Sequence, residues 1–541
     1  MPIRMVDDDQ DPNENNYNDD NSGGGGNSGG GGNLGGLLGL LPLFLGLFRS
    51  KFGIFILILL GVGYFFLNSK GCNPSGGNRP TANNADNGQL KSNDGILDPN
   101  MFKKASVYEG LEDDQTKNPL PDAVSLLRFA PKPGNQGQQG SCVAWSSAYA
   151  ARTIAEAASK GVDPNSIAFS PSFLYNQIGE DNCEGSFILK AMQFMSEKGA
   201  LPLAEFPYTD RSCSQQPNGS QMQEAANYKI HGFNRLTQSE DPNGINIRAV
   251  KEHLAKDAPV VIGMMVGGSF MQDMLGKKIW EPTAEDHSMS GFGGHAMCVI
   301  GYDDKIAGGA FQIKNSWGPE WGDNGVAYVR YPDFKEFVRE AYGIDPLPKA
   351  GAALNQTFDC EIGLEAVDHY GKVQNYIPLS SGGTNTFTSQ SIAKNSKFKV
   401  EVKNSTECYV YVFGEETDGS SYTLFPYPSK TDSTKTAYTP YCGITGYRLF
   451  PKGKSMSPDA IGSKDYMAVV VSKQPLNWFA LNQQISKNHS NYFQAVSSAL
   501  TTSGAQLGTM QVGSTGKGSM HFTAPAGDKS VAFAIVEINK Q

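Results

Sequence analysis

The sequence predicts an α+β domain of two lobes, followed by an all-β sandwich-like domain and preceded by a disordered tail and one transmembrane helix. Three observations carry this reading. Helix-period segments at 142–159, 170–178 and 186–198 precede strand-like runs at 260–266, 296–302, 311–315 and 326–331, and helices first with strands later is an α+β pattern. From about 351 the helical signal fades, and apolar runs at 398–403, 409–413, 467–471 and 531–536 are bounded by Gly, Ser, Asn and Pro. One run, 52–67, is sixteen residues without a charge. A chain of 541 residues is too long for one core, since domains run to about 150 residues. It divides into 1–33, 34–71, 72–118, 119–346 and 351–541.

Residues 1–33 set seven carboxylates among Asn and two tetraglycine runs, so they hold nothing to bury and read as a disordered tail. In the anchor 34–71, the run 52–67 is flanked by Arg49 and Lys51 on one side and Lys70 on the other. It is slightly short for a hydrocarbon core of about 30 Å, and Tyr64 and the lysine stems reach the interface. A second apolar run, 34–48, is broken by Gly35, Gly36, Gly39, Pro42 and Gly46 and reads as interfacial or disordered. Were both runs to cross, only 49–51 would join them and the rest of the chain would return to the N-terminal side. Arg49 and Lys51 favour an N-inside, single-pass membrane protein with its bulk on the extracytoplasmic side, in the periplasm or at the cell surface. The polar stretch 73–118 reads as a tether. A net charge of −9, with no stripe of Lys and Arg interleaved with aromatics, argues against nucleic acid as a partner. Eight cysteines with no CxxC pair and no Cys/His spacing make structural zinc unexpected, and no metal or cofactor is called for.

One cysteine has a distinct context. Cys142 follows the glycine-broken loop N-Q-G-Q-Q-G-S and opens an Ala-rich helix that Gly161 can end. At a helix N-terminus the macrodipole favours an anion, which lowers a thiol pKa from its usual ~8.5. Downstream, His295 stands where G-F-G-G enters an apolar strand, and Asn315 ends the strand F-Q-I-K before S-W-G-P-E-W-G. An amide there can hold an imidazole, although an isolated Asn at a strand end is more often a turn residue.

These three segments, in the order Cys, His, Asn, resemble the papain family of cysteine peptidases over 119–346. The resemblance implies a papain-like two-lobe catalytic domain with the site between the lobes. It makes Cys142 the nucleophile, His295 its general base and acid, Asn315 the group orienting His295, and Gln136 the oxyanion-hole donor. Trp317 would cover the bond between His295 and Asn315. The stretch around Cys183 looks like the family's glycine-rich segment that pairs with the substrate backbone, with Gly185 there, Ser186 opening a helix, and Phe187 and Ile188 facing a pocket. Gly263, Gly294 and Ala296 would line the main specificity pocket, which on this reading carries no acid and prefers bulky apolar side chains. The chain departs from the family in having Val143 after the nucleophile and Gln139 in place of a disulfide cysteine. Cys183 and Cys213, whose usual partners are missing, are therefore expected to bond to each other. No helical inhibitory propeptide is visible. The excess separation between Cys142 and His295 is assigned to the loop 281–294.

The resemblance implies a membrane-tethered endopeptidase acting on a peptide or protein substrate through a thiolate–imidazolium pair and an acyl-enzyme. The rivals are a non-catalytic peptide-binding protein on the same scaffold and an acyl transferase to amines. The C-terminal domain resembles a β-module found beside bacterial envelope enzymes. A second disulfide between Cys408 and Cys442 is entertained, and binding to a surface polymer or to a protein is left open.

Overall fold

The computed structural model describes residues 3–9, 97–237, 244–350, 357–488 and 491–541, all within one body. The span expected at 52–67, the run 34–48 and most of the tail and tether lie outside the described residues. Among the described residues no helix is long and apolar enough to cross a membrane.

The first lobe is built on a helix running from Cys142–Ala144 through a π-helical stretch, Trp145–Arg152, into Thr153–Lys160. Small side chains let it run through the core, with Ala144, Ala148, Ala151 and Ala157 fully buried. Gly161 ends it at φ 66°, donating its N–H to the carbonyl of Ala157, a left-handed cap that favours glycine. The helix Pro171–Ile178 starts as its sequence dictates, with Ser170 accepting from the N–H of Phe173. The next helix, Ile188–Glu197, begins two residues later than expected from Ser186, because Phe187 is still extended and the buried Ser186 hydroxyl caps nothing.

The second lobe is a mostly antiparallel sheet in the spatial order Phe233–Arg235, Val338–Ile344, Val260–Val266, Gly293–Asp303, Ala310–Lys314, Val326–Arg330, Ile279–Trp280. Its register sets Gly263 opposite Ala296 and Met264 opposite His295. It also sets Cys298 opposite Lys314, and so carries Asn315 to the strand's end. The loop expected to hold the extra residues is fastened by Asp286, whose carboxylate accepts from the N–H and hydroxyl of Ser269 and the N–H of Thr283.

Two further sheets face each other across a shared core that includes Phe358, Ile362, Leu364, Val410, Val412, Val469 and Val536. The sandwich matches the sequence reading, but the domain is not all-β. Helices Trp478–Ser486 and Tyr492–Thr502, capped by Asn477 and Asn491, cover the outer face of one sheet. Alternation explains the second core: Val410 and Val412 point into the sandwich, while Tyr411 and Phe413 point to the helices. Cys408 and Cys442 sit opposite each other on paired strands yet are free buried thiols, so the second disulfide is absent.

Two stretches read as unstructured are packed. The strand Ile3–Asp7 pairs antiparallel with Lys454–Pro458. The Asp8 carboxylate accepts from the Ser455 hydroxyl at 2.6 Å and faces Lys399 at 3.2 Å and Lys397 at 3.3 Å. The tail is thus ordered at its start because an open strand edge with lysines beside it offers both hydrogen bonds and charge. The last part of the tether is mortar between the domains. Val107 donates to the carbonyl of Ala437 and accepts from the N–H of Thr439, while Tyr108 donates to Arg235. The buried Arg448 guanidinium donates to the carbonyls of Glu109 and Ile444 and to Asn404 Oδ1. Nearby, Glu112, Glu365 and Glu401 stand close enough to share a cation, and the Lys117 ammonium is that cation.

Candidate active site

Cys142 is the first residue of its helix, preceded by Ser141, whose side chain makes no cap bond. The helix end therefore directs its field at the cysteine. The Cys142 sulfur accepts from the N–H of Ala296 at 3.4 Å, which fixes it beside the strand that carries His295. His295 Nε2 donates to Asn315 Oδ1 at 2.8 Å, leaving Nδ1 as the nitrogen without a hydrogen-bond partner among the described residues. Trp317 stacks on the imidazole with ring centres 4.4 Å apart and planes 27° apart. Trp317 is held edge-on by Phe270 and Trp321.

The oxyanion loop and the Asn315 loop are stitched together. The N–H of Gln136 donates to the carbonyl of Ser316, and the Ser316 hydroxyl donates to Gln136 Oε1 at 2.7 Å. That bond fixes which end of the amide is the donor, so Nε2 is the end available to a substrate oxygen. In this closed form it donates to the carbonyl of Gln139 at 3.1 Å.

Burial is the dominant electrostatic fact. It pulls His295 down to about 4, with the bond to Asn315 opposing the shift. Burial thus favours the neutral imidazole and works against the imidazolium of the sequence reading. The difference is desolvation: Cys142 and His295 are both wholly shielded from solvent.

The expected substrate residues divide. Gly185, at φ 76°, lies against Gly140, where an added Cβ on Gly140 would come within 2.8 Å of the Gly185 nitrogen. The two glycines border an open cleft of about 610 Å³, also lined by Gln139, Glu184, Asp210 and Arg211. Phe187 is half-buried, but Ser186 and Ile188 are buried, and Ile188 packs in the core rather than facing a pocket. The expected bond between Cys183 and Cys213 is present.

Gly263, Gly294 and Ala296 come together on adjacent strands, and Trp317 shares their lobe. Two residues that sequence reasoning missed join them. A Cβ on Gly263 would meet Leu97 Cδ2 at 2.5 Å and Glu340 Cγ at 2.8 Å. The pocket thus carries an acid after all, and a leucine of the same chain fills part of it. Burial first, and the nearby Asp98 carboxylate second, raise Glu340 to about 8, so it is a neutral acid at pH 7. The signal for Glu340 was an acid inside the apolar strand V-R-E-A-Y-G-I; only the register Gly263 opposite Glu340 shows what it faces. Leu97 had no local signal, lying in a stretch that reads as tether.

A papain family cysteine protease model matches residues 130–343. A peptidase C1-like protein of Acanthamoeba polyphaga mimivirus is 28% identical over 238 residues, 42% of this chain and 71% of that protein. Mouse cathepsin K is 26% identical over 39% of this chain, which spans 60% of its length. Human cathepsin L2 is 27% identical over 28% of this chain, which spans 42% of its length. Xylellain, a cysteine protease from Xylella fastidiosa, is 25% identical, with a TM-score of 0.38, covering 47% of this chain and 94% of that one. Residues 130–343 are thus a papain family cysteine protease domain within this chain.

Proposed function

We propose that the chain is a cysteine endopeptidase that hydrolyses peptide bonds through an acyl-enzyme on Cys142. The observation that carries this reading is the single cluster of Cys142, His295, Asn315 and Gln136, with Trp317 shielding the imidazole. His295 is neutral and presents Nδ1, so it can take the thiol proton as the sulfur attacks the substrate carbonyl carbon. The oxyanion formed is met by Gln136 Nε2, once it leaves the carbonyl of Gln139, and by the Cys142 N–H at the uncapped helix end. Losing one such donor costs about 3 to 4 kcal/mol of barrier. Collapse breaks the C–N bond, and the imidazolium returns its proton to the departing amine. Water, deprotonated by His295, then attacks the thioester and frees the carboxylate product and the Cys142 thiol.

The pocket at Gly263 fits a leucine-sized side chain, since Leu97 already contacts it, and neutral Glu340 leaves it uncharged at pH 7. We extend the reading to an enzyme attached to a membrane through 34–71, which rests on the sequence of that stretch alone. The test is the full chain against a mixed peptide library, with Cys142→Ala beside it. Cleavage after a leucine-containing site by the wild type, and at least 1,000-fold less by the variant, is the expected result, on the scale of removing a catalytic group. Equal turnover by both would remove the peptidase reading.

A further inference from the structure

Behind Asn315, between the central helix and the sheet, lies a small cavity of about 10 Å³, room for one water-sized body. The helix contributes Trp145, Ser146 and Tyr149, and the sheet contributes Lys314, Asn315 and Ser316. We propose that this cavity is a binding site for a monoatomic anion, a halide, held by Lys314, Trp145 and Asn315.

Two unpaired N–H donors and a buried ammonium belong to the residues that line it. Trp145 Nε1 and Asn315 Nδ2 are buried and have no partner among the described residues. The orientation of the Asn315 amide is fixed, because its oxygen accepts from both His295 Nε2 and the N–H of Ser316. Nδ2 is thereby turned away from the imidazole. The hydroxyls around the cavity are committed as donors elsewhere: Ser146 to the carbonyl of Val143, Ser316 to Gln136, and Tyr149 to the carbonyl of Lys132. Lys314 is 4% exposed, and among the described residues no carboxylate is paired with it. Burial lowers its ammonium only to about 8, so at neutral pH a positive charge is buried beside nothing more than the Cys298 thiol, which burial keeps protonated. An uncompensated buried charge is costly. A water brings no charge to offset the ammonium. A halide accepts from all three groups and neutralises the lysine. The volume excludes phosphate, sulfate and carboxylates.

Holding Asn315 Nδ2 holds Oδ1, and with it the His295 ring, so the anion makes Lys314 and Trp145 positioning residues. This consequence for rate rests on the peptidase reading; the binding itself does not. The test uses the full chain, crystallised with sodium bromide, and assayed on a cleaved peptide as chloride replaces gluconate at constant ionic strength. Expected are an anomalous bromine peak in the cavity and a saturable rise of several-fold in kcat at unchanged KM. Lys314→Met, which keeps the apolar stem, should lose both. Trp145→Phe, a gentler change for the fold, should raise the halide concentration for half effect about 10-fold, the loss of one hydrogen bond to a charged acceptor. Wild-type crystals with no peak in the cavity overturn the site whatever the rate does. A peak accompanied by a kcat indifferent to chloride overturns the link to Asn315. A chain inactive on every peptide still reports through the bromine peak, so failure of the peptidase reading is told apart from failure of the site.

Discussion

Glu340 shows how much one buried acid can set. Its folded value of about 8, against an ordinary 4.5, means that the folded protein holds this proton more tightly than the unfolded chain. The stability it contributes is complete below about pH 4.5 and is lost as pH rises through 8. The shift is worth on the order of 5 kcal/mol at most. Glu340→Gln should remove that slope, so the variant's margin over the wild type grows from pH 5 to pH 9 in urea unfolding. A margin independent of pH would show that Glu340 is not neutral in the fold. Above pH 8, ionised Glu340 should also open the pocket to basic side chains, which the same peptide library read at pH 6.5 and 8.5 would detect. At this scale the residues that the fold gathers into the candidate site were legible, because Cys142, His295 and Asn315 each stand in a short distinctive phrase. Glu340 was not, because its meaning comes from a strand pairing across 77 residues of sequence, from Gly263 to Glu340. The desolvation of His295 was not legible either, since it depends on what covers a site and not on what is next to it in the chain.

Among the elements, the segment carrying Leu97 stands out as a guard. It brings an apolar side chain to the pocket beside Gly263, in a structure where Cys142 and His295 are closed off from solvent. Fully burying a leucine is worth about 1.5 to 3 kcal/mol, and Leu97 is half-buried, so its removal shifts the closed form by roughly 3- to 10-fold. Leu97→Asp, which also sets a charge near Glu340, should raise peptide turnover and speed alkylation of Cys142 by iodoacetamide by about that factor. Unchanged alkylation would remove the guard role. The loop from Cys183 to Cys213 behaves as its spacing implies. With the cysteines 30 positions apart, closing the loop stabilises the domain by about 3 to 4 kcal/mol in the chain-entropy view. Cys213→Ser should lower the midpoint of thermal unfolding, and dithiothreitol should affect the wild type but not the variant. Helices with strong local caps, such as Ser170 before Pro171, could be read from sequence. The pair Trp478–Ser486 and Tyr492–Thr502 was missed, because short Asn-capped helices lack a strong period and exist by packing on Tyr411 and Phe413.

Over the whole molecule, the catalytic domain and the sandwich are joined by backbone pairing at Val107 and by the Arg448 guanidinium, so the β-domain is a fixed neighbour of the protease. The first strand adds a constraint of another kind. Ile3–Asp7 and Lys454–Pro458 are neighbouring strands of one sheet, and a bilayer cannot pass between hydrogen-bonded strands. Asp9 and Leu97 therefore belong to one body and lie on the same side of any bilayer the chain meets. A lone crossing with its head and its catalytic body on opposite faces would tear this pairing apart; an even number of passages, or a shallow dip, leaves it whole. Epitope tags at both ends of the chain, probed on sealed vesicles with an impermeant protease, should be cut together or spared together. Protection of one tag alone would mean that the first strand pairs elsewhere.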